Sequence, residues 1–164
     1  MLFRSLVIIP EYKTPLPGGR RESQSDVFLL ARHATGTIAC TVEGKVDEPF
    51  GPTVAQQMAA TTPGKEERLA FLCGQLGLSQ CPGEIHYQLL HRTASALIEA
   101  ERFDTGDAAM IVHSFSPVRK WFDAFAAFVE LLGGQIDEAS ALIEVRGKKL
   151  LLGWASGDQR FRAM

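Results

Sequence analysis

The sequence predicts an α/β domain in which a mixed β-sheet is flanked by helices, in the order βββ-α-α-β-α-ββ. Three observations lead to this class. The chain opens with β-branched runs separated by turn signals, its middle carries apolar residues at helical spacing, and its last third returns to strands after one helix. With 164 residues, 46% of them hydrophobic, one domain covering 1–164 is expected to bury a core without a stabilising metal or disulfide.

The first three segments predict a β-meander. Residues 5 to 14, "SLVIIPEYKT", run into the turn signal "PLPGG", where prolines and glycines end regular structure. Residues 25 to 33, "SDVFLLARH", and 37 to 45, "TIACTVEGK", are separated by a short turn only. This tight spacing favours an antiparallel hairpin preceded by another strand.

The middle of the chain predicts helices that cover the sheet. A short helix follows residue 52, and Thr62 and Pro63 then form a helix start signal with Glu66 and Glu67 in the first turn. Residues 84 to 103 carry apolar side chains along one helical side.

The last third predicts a strand, a helix and two more strands. Residues 108 to 115, "AAMIVHSF", are almost continuously apolar, as in a buried strand. Ser116 as the cap and Pro117 at the first helical position predict a helix that closes at Gly133 and Gly134. Two strands around the turn "RGKK" end the domain.

Composition excludes several classes of function. The formal net charge of -2 provides no general attraction to phosphate, so any nucleic-acid binding needs a local basic patch. The 3 cysteines follow no Cys-x-x-Cys spacing, which favours a reducing, cytoplasmic setting without zinc. The apolar N-terminal run is too short to span a bilayer, so no membrane association is expected. There is no Walker loop or Rossmann glycine fingerprint, and Ser114 lacks the Gly-x-Ser-x-Gly elbow.

The strongest chemical signal is the pair Glu43 and Lys45 at the end of the third strand. Residues two apart on a strand share a face, and the hairpin could bring Asp26 close to this pair. Two carboxylates suit Mg²⁺ or Mn²⁺, and an adjacent lysine can orient water and offset transition-state charge. The alternative is an exposed ion pair of little energetic value. Glu11, in a second Glu-x-Lys match, is a possible third acid near the site.

Other candidates have structural alternatives. One helix face carries the polar residues Gln88, Arg92, Ser95 and Glu99. This face either lies beside the carboxylates, where Gln88 and Arg92 would contact phosphate or water, or forms a ladder of solvated side chains. His113 is more often a core histidine than a ligand. The basic pairs Arg20–Arg21 and Lys148–Lys149 are expected to be solvated turn residues.

The residues "SDVFLLAR … TIACTVEGK", with an acid on one strand and E-x-K at the end of the next, resemble the PD-(D/E)XK, or restriction endonuclease-like, nuclease superfamily. In this resemblance Ser25 replaces the proline that precedes the first acid. A closer resemblance, over roughly residues 10 to 157, links the chain to an uncharacterised bacterial domain family through "PLPGGRRESQSD", "VEGKVDEPFG", "PGKEERLAFL", "YQLLHRTASA" and "VHSFSP".

The superfamily resemblance implies a restriction endonuclease-like fold and Mg²⁺-dependent hydrolysis of a nucleic-acid phosphodiester, with DNA the favoured partner and a homodimer possible. The alternative is a catalytically inactive module of the same fold that binds nucleic acid or a protein. Asp26 and Glu43 would be the metal ligands. The residues expected to carry catalysis are Lys45, Glu43, Asp26, Gln88 and Arg92.

Overall fold

The computed structural model describes residues 4–162, which form a 6-stranded mixed sheet. The strands are β1 (Arg4–Thr14), β2 (Ser23–His33), β3 (Gly36–Lys45), β4 (Asp107–Ser114), β5 (Ser140–Val145) and β6 (Lys148–Ser156). Their order in the sheet is β1-β2-β3-β4-β6-β5. The first three strands form an antiparallel meander, β3, β4 and β6 run parallel, and β5 returns antiparallel to β6. The predicted α/β class with a mixed sheet and flanking helices is confirmed.

The helices follow the predicted order. Thr62 caps the second helix, its hydroxyl accepting a bond from the Lys65 amide at 3.3 Å, with Pro63 in the first turn. The third helix lies against β3 and β4. The helices are α1 (Val54–Met58), α2 (Pro63–Gln75), α3 (Tyr87–Arg102) and α4 (Phe122–Leu131), followed by the 3-10 turn Gln159–Phe161. No helix within residues 4–162 is long and apolar enough to cross a membrane.

Two apolar clusters hold the sheet. The main core packs α3 and α4 on the strands and includes Phe28, Leu90, Met110, Phe125 and Leu152, all fully buried. The smaller cluster is made of strand residues alone, with Ala31, Ile38, Cys40 and Ala109 at its centre. Successive side chains of a strand point to opposite faces of the sheet, so a single strand contributes residues to both clusters. The near-continuous apolar pattern of β4 reflects this double use.

The start of α4 differs from the predicted one. The helix begins at Phe122, not at Pro117, and Arg119 and Trp121 adopt left-handed backbone conformations with φ 51° and 71°. Ser116 still accepts a bond from the Lys120 amide at 3.2 Å, but this caps a turn. The Trp121 indole donates to the carbonyl of Asp47 at 2.9 Å. These two residues are far apart in the sequence, so the local capping pattern cannot predict their contact.

The loop between β1 and β2 is held against α2 by a close backbone approach. Gly18 has φ +75°, and a Cβ at this position would lie 2.0 Å from the carbonyl oxygen of Gly64. The Arg68 side chain strengthens the contact by donating from Nε to the Pro17 carbonyl at 2.8 Å. Only glycine fits both requirements at position 18.

We expect Gly18→Ala to destabilise the protein more than Gly133→Ala. Gly133 has a similar φ of +77°, but a Cβ there meets no atom within 4 Å. The control should therefore lose about 1 to 2 kcal/mol from backbone strain alone, and Gly18→Ala should lose this plus the cost of displacing the α2 backbone. Urea denaturation of both variants measures the difference, and equal losses would contradict the close approach.

Candidate functional site

Glu43 and Lys45 lie on the helix-facing side of β3, at its carboxyl end. Their exposed fractions are only 4% and 6%, and Lys45 Nζ donates to Glu43 Oε1 at 3.0 Å. The Lys45 ammonium also lies 5.5 Å from the ring centroid of Phe50. The alternative of an exposed surface ion pair is therefore wrong, because both charged side chains are buried.

The first half of α3 supplies two more donors to the same carboxylate. Gln88 Nε2 lies 2.5 Å from Glu43 Oε1, and Arg92 Nε lies 2.6 Å from Glu43 Oε2. Arg92, Ser95 and Glu99 are all buried, so this polar face of the helix packs on the sheet. The alternative of a solvated ladder is wrong, and Glu43 accepts hydrogen bonds from three side chains.

Asp26 reaches the same strand end by a different route. Regular pairing between β2 and β3 stops at Val27 and Val42, and the Asp26 carboxylate then accepts a bond from the Gly44 amide at 2.7 Å. Its side chain thus replaces a main-chain partner between Glu43 and Lys45. The hairpin does bring Asp26 to the site, although its bond within the described chain is to the backbone of Gly44 and not to either charged side chain.

Three charged side chains, those of Glu43, Lys45 and Arg92, are buried together, and their hydrogen bonds must offset the cost of leaving water. Removing an ion from water costs several kcal/mol, and a pair recovers this only with short, well-directed hydrogen bonds. One carboxylate meets two cations here, Lys45 and Arg92, and Glu48 Oε1 lies 4.0 Å from Lys45 Nζ on the exposed side. The acids and bases of the cluster therefore balance.

Arg92 also joins a second network that includes His91 and Ser23. Arg92 Nη1 donates to Ser23 Oγ at 3.0 Å and lies 3.1 Å from His91 Nδ1, which is 2.9 Å from Ser23 Oγ. A guanidinium can only donate, so Nδ1 accepts and the imidazole proton is on Nε2. Burial, followed by the charges of Arg92 and Arg68, lowers the pKa of His91 to about 3. This histidine stays neutral at physiological pH.

A cleft of about 310 Å³ opens beside these residues. Three arginines line it, Arg21, Arg68 and Arg92, against the single carboxylate of Glu22. Gln88 and Arg92 line the cleft and also bind Glu43, so they connect it to the carboxylate. The remaining lining residues include Ser23, Gly51, Pro52, Gln57, Tyr87 and His91.

The family model described as "Domain of unknown function (DUF6946)" matches residues 2–159. The chain belongs to the DUF6946 family. No curated protein and no solved structure matches it. The residues that build the site and the cleft all lie within the part of the chain that matches the DUF6946 family.

The DUF6946 site contains two carboxylates suitable for a hard cation, Asp26 and Glu43. Within residues 4–162 no group of three or more His, Cys, Asp or Glu side chains is placed to hold a metal ion. Burial raises the pKa of the Cys40 thiol to about 12, so this residue is not a thiolate nucleophile at neutral pH.

The remaining sequence candidates lie in different settings. Glu11 is exposed on the edge strand, and its carboxylate accepts a bond from the Gln24 amide. His113 packs its ring 4.5 Å from that of Phe115.

Sequence reasoning missed Arg68 and treated Arg21 as an ordinary solvated turn residue. Arg68 lies in α2, far along the chain from Arg92, and nothing in its local sequence distinguishes it from the charged residues around it. Its clearest sequence signal is indirect. The loop "PLPGGRR" is rich in residues that permit a close approach to a neighbouring helix, and it is this approach that brings Arg21 and Arg68 to one cleft.

We expect His91 to make folding stability depend on pH. Its folded pKa of about 3 is below the ordinary value near 6.5, so its contribution is complete above pH 6.5 and is lost as the pH falls toward 3. Between pH 7 and pH 5 the wild type should lose about 2 kcal/mol from this group. In His91→Asn, whose amide oxygen replaces the Nδ1 acceptor, the loss should be absent. Urea titrations test this, and parallel pH profiles for both proteins would contradict it.

Proposed function

We propose that this DUF6946 protein is a Mg²⁺-dependent nuclease of restriction endonuclease-like fold that hydrolyses a nucleic-acid phosphodiester. The observation that carries the proposal is the buried pair of Glu43 and Lys45, which lies beside Asp26 and opens through Gln88 and Arg92 into a cleft lined by arginines. A cluster of charges with this burial is costly for folding, and a role in chemistry explains why the chain contains it.

The donor chemistry fits Mg²⁺ or Mn²⁺. Asp26 and Glu43 supply carboxylate oxygens, which hard cations prefer, and Mg²⁺ commonly takes only one or two protein carboxylates together with waters and substrate phosphate. When bound, the ion would polarise the phosphodiester and lower the pKa of a bound water. Glu43 would then exchange some of its present hydrogen bonds for the cation.

The side chains around Glu43 have distinct roles in this proposal. Lys45, held by Glu43 and the Phe50 ring, would offset negative charge that develops on the phosphoryl oxygens. Gln88 donates to Glu43 while its Oε1 is buried and has no hydrogen-bond partner among the described residues. This acceptor is suited to a water molecule, so Gln88 would orient the attacking water. Arg92 would hold the Glu43 carboxylate in place.

The arginine cleft supports a phosphate-containing substrate. Arg21, Arg68 and Arg92 outnumber Glu22 there although the whole chain has a net charge of -2, so the local field at the cleft favours anions. A neighbouring phosphate of the same strand would bind in the cleft and fix the scissile bond near Lys45. By the superfamily resemblance, DNA is the favoured substrate.

A second candidate is a binding module of the same fold without turnover. The favouring observation is that both Glu43 oxygens already accept hydrogen bonds, from Lys45, Gln88 and Arg92. If these bonds persist in solution, the arginines of the cleft would bind a phosphate and leave it intact. Dependence on divalent metal separates the two candidates.

We expect Lys45→Met to reduce the rate of DNA cleavage at least about 100-fold, because it removes the ammonium that would offset transition-state charge and keeps most of the side-chain length. Labelled single-stranded, duplex and branched DNA, together with RNA, provide the substrates. Lys149→Met is the matched control, since Lys149 is exposed on β6 and pairs with Asp107 at the start of β4, the opposite end from Ser114. Equal cleavage by wild type and Lys45→Met would remove Lys45 from the mechanism.

We expect Mg²⁺ and Mn²⁺ to raise the melting temperature of the wild type, and Asp26→Asn and Glu43→Gln to abolish this shift. Asp26→Asn is the cleaner variant, because the amide oxygen can still accept the bond from Gly44. Glu43→Gln leaves two buried cations without a carboxylate and should cost about 3 kcal/mol, so circular dichroism must show that it is folded. A wild type indifferent to both metals would support the binding module instead.

A further inference from the structure

The loop of residues 116–121, which connects β4 to α4, carries exposed side chains unlike those of an ordinary connection. Val118 has 78% of its surface exposed, and the cations Arg119 and Lys120 follow directly. Arg119 lies 3.7 Å from the ring centroid of Phe122, and Lys120 lies 6.0 Å from that of Trp121. An apolar tip is therefore followed by two cations stacked on aromatic rings.

The backbone of this loop is strained. Arg119 and Trp121 have φ of 51° and 71°, a left-handed region that L-residues with large side chains adopt only at an energetic cost. The strain is held by two bonds, from the Lys120 amide to Ser116 Oγ and from the Trp121 indole to the carbonyl of Asp47. A regular helix starting at Pro117, as the cap signals predict, would lack this shape. The tertiary contacts thus hold Val118 and the two cations in an exposed loop, although the local sequence favours a helix.

The loop follows the carboxyl end of β4, at the same end of the sheet as the candidate site. Ser114 is opposite Lys45 in the parallel pairing of β3 and β4, and the amide of Phe115 donates to the carbonyl of Lys45 at 2.7 Å. Trp121 also contacts the ring of His86 at 5.8 Å, and His86 Nδ1 lies 2.8 Å from the carbonyl of Gly51 in the cleft wall. His86 and Gly51 therefore separate the loop from the arginine cleft.

The C-terminal turn contacts the same region through Asp47. The Arg162 guanidinium contacts the Asp47 carboxylate, and the Trp121 indole binds the carbonyl of the same Asp47. Exposed cations are thus present in the loop, and arginines line the cleft. A ligand that contacts both surfaces must be negatively charged where it meets each of them.

We propose that the 116–121 loop is a second contact for double-stranded nucleic acid, with Arg119 and Lys120 on backbone phosphates and Val118 in the minor groove. The assignment rests on the proposed nuclease function, which places the scissile bond near Lys45. Exposed apolar side chains flanked by cations are used in this way by proteins that enter the minor groove. The cleft would hold the strand to be cut, and the loop would hold the duplex next to it.

Binding measured without cleavage tests the loop. Anisotropy of a short labelled duplex is followed against salt concentration in EDTA, for wild type and for Arg119→Gln/Lys120→Gln. Each phosphate contact contributes about 0.9 to the slope of log K against log salt. The double variant should therefore bind more weakly, with a slope smaller by about 1.8. The control is Arg32→Gln/Lys149→Gln, which removes the same charge from exposed positions at the other end of the sheet and should leave the slope unchanged.

Val118→Ser tests the groove contact, because it removes apolar surface and no charge. Its duplex affinity should fall while the salt slope stays at the wild-type value, and unchanged affinity would overturn the insertion of Val118. If the Arg119/Lys120 variant loses single-strand and duplex binding equally, the assignment to a duplex is overturned.

The loop inference and the nuclease proposal fail in different ways. Equal salt slopes for Arg119→Gln/Lys120→Gln and wild type, with cleavage that still requires Lys45, would overturn the loop contact alone. A reduced slope without any Lys45-dependent cleavage would support the loop contact and overturn the nuclease proposal. A wild type that binds no nucleic acid would overturn both.

Discussion

The carboxylate of Glu43 is the point where the sheet and its main covering helix are joined by charge. Arg92 of α3 and Lys45 of β3 both bind it, and the carbonyl of Arg92 in turn accepts a bond from the hydroxyl of Thr41. A buried carboxylate without partners would be intolerable, so α3 must pack in the orientation that delivers Gln88 and Arg92 to β3. Apolar packing alone would accept several orientations of a helix on a sheet.

This one constraint propagates through Arg92. Because its Nε is held by Glu43, its Nη1 is directed toward Ser23 and His91, and the start of β2 is fixed against the helix. Arg68 and the close contact of Gly18 with Gly64 then bring the preceding loop to the same place. The cleft is therefore a product of the Glu43 network and the α2 contact together, and its positive lining exists in a protein whose net charge is -2.

The parallel pairing of β3 and β4 accounts for where the functional surfaces lie. Carboxyl ends of parallel strands meet at one edge of a sheet, and in open α/β sheets ligands commonly bind outside this edge. Lys45 ends β3 and Ser114 ends β4 in register, so the connection after each strand leaves from the same edge. Residues 47–52 and the 116–121 loop are thus neighbours for a topological reason, and the bond from Trp121 to Asp47 fixes their contact.

The order of strands and helices, the antiparallel hairpin and the common face of Glu43 and Lys45 follow from local sequence patterns, because each depends on periodicity and turn residues within a short window. The same periodicity places Gln88 and Arg92 on one side of α3. Four other features arise from long-range packing: this side of α3 is buried, Asp26 binds the Gly44 backbone, Arg68 lines the cleft, and α4 begins at Phe122. Each of these depends on a contact between residues far apart in the chain, whose free energy outweighs the local preference and leaves no signal in the neighbouring residues.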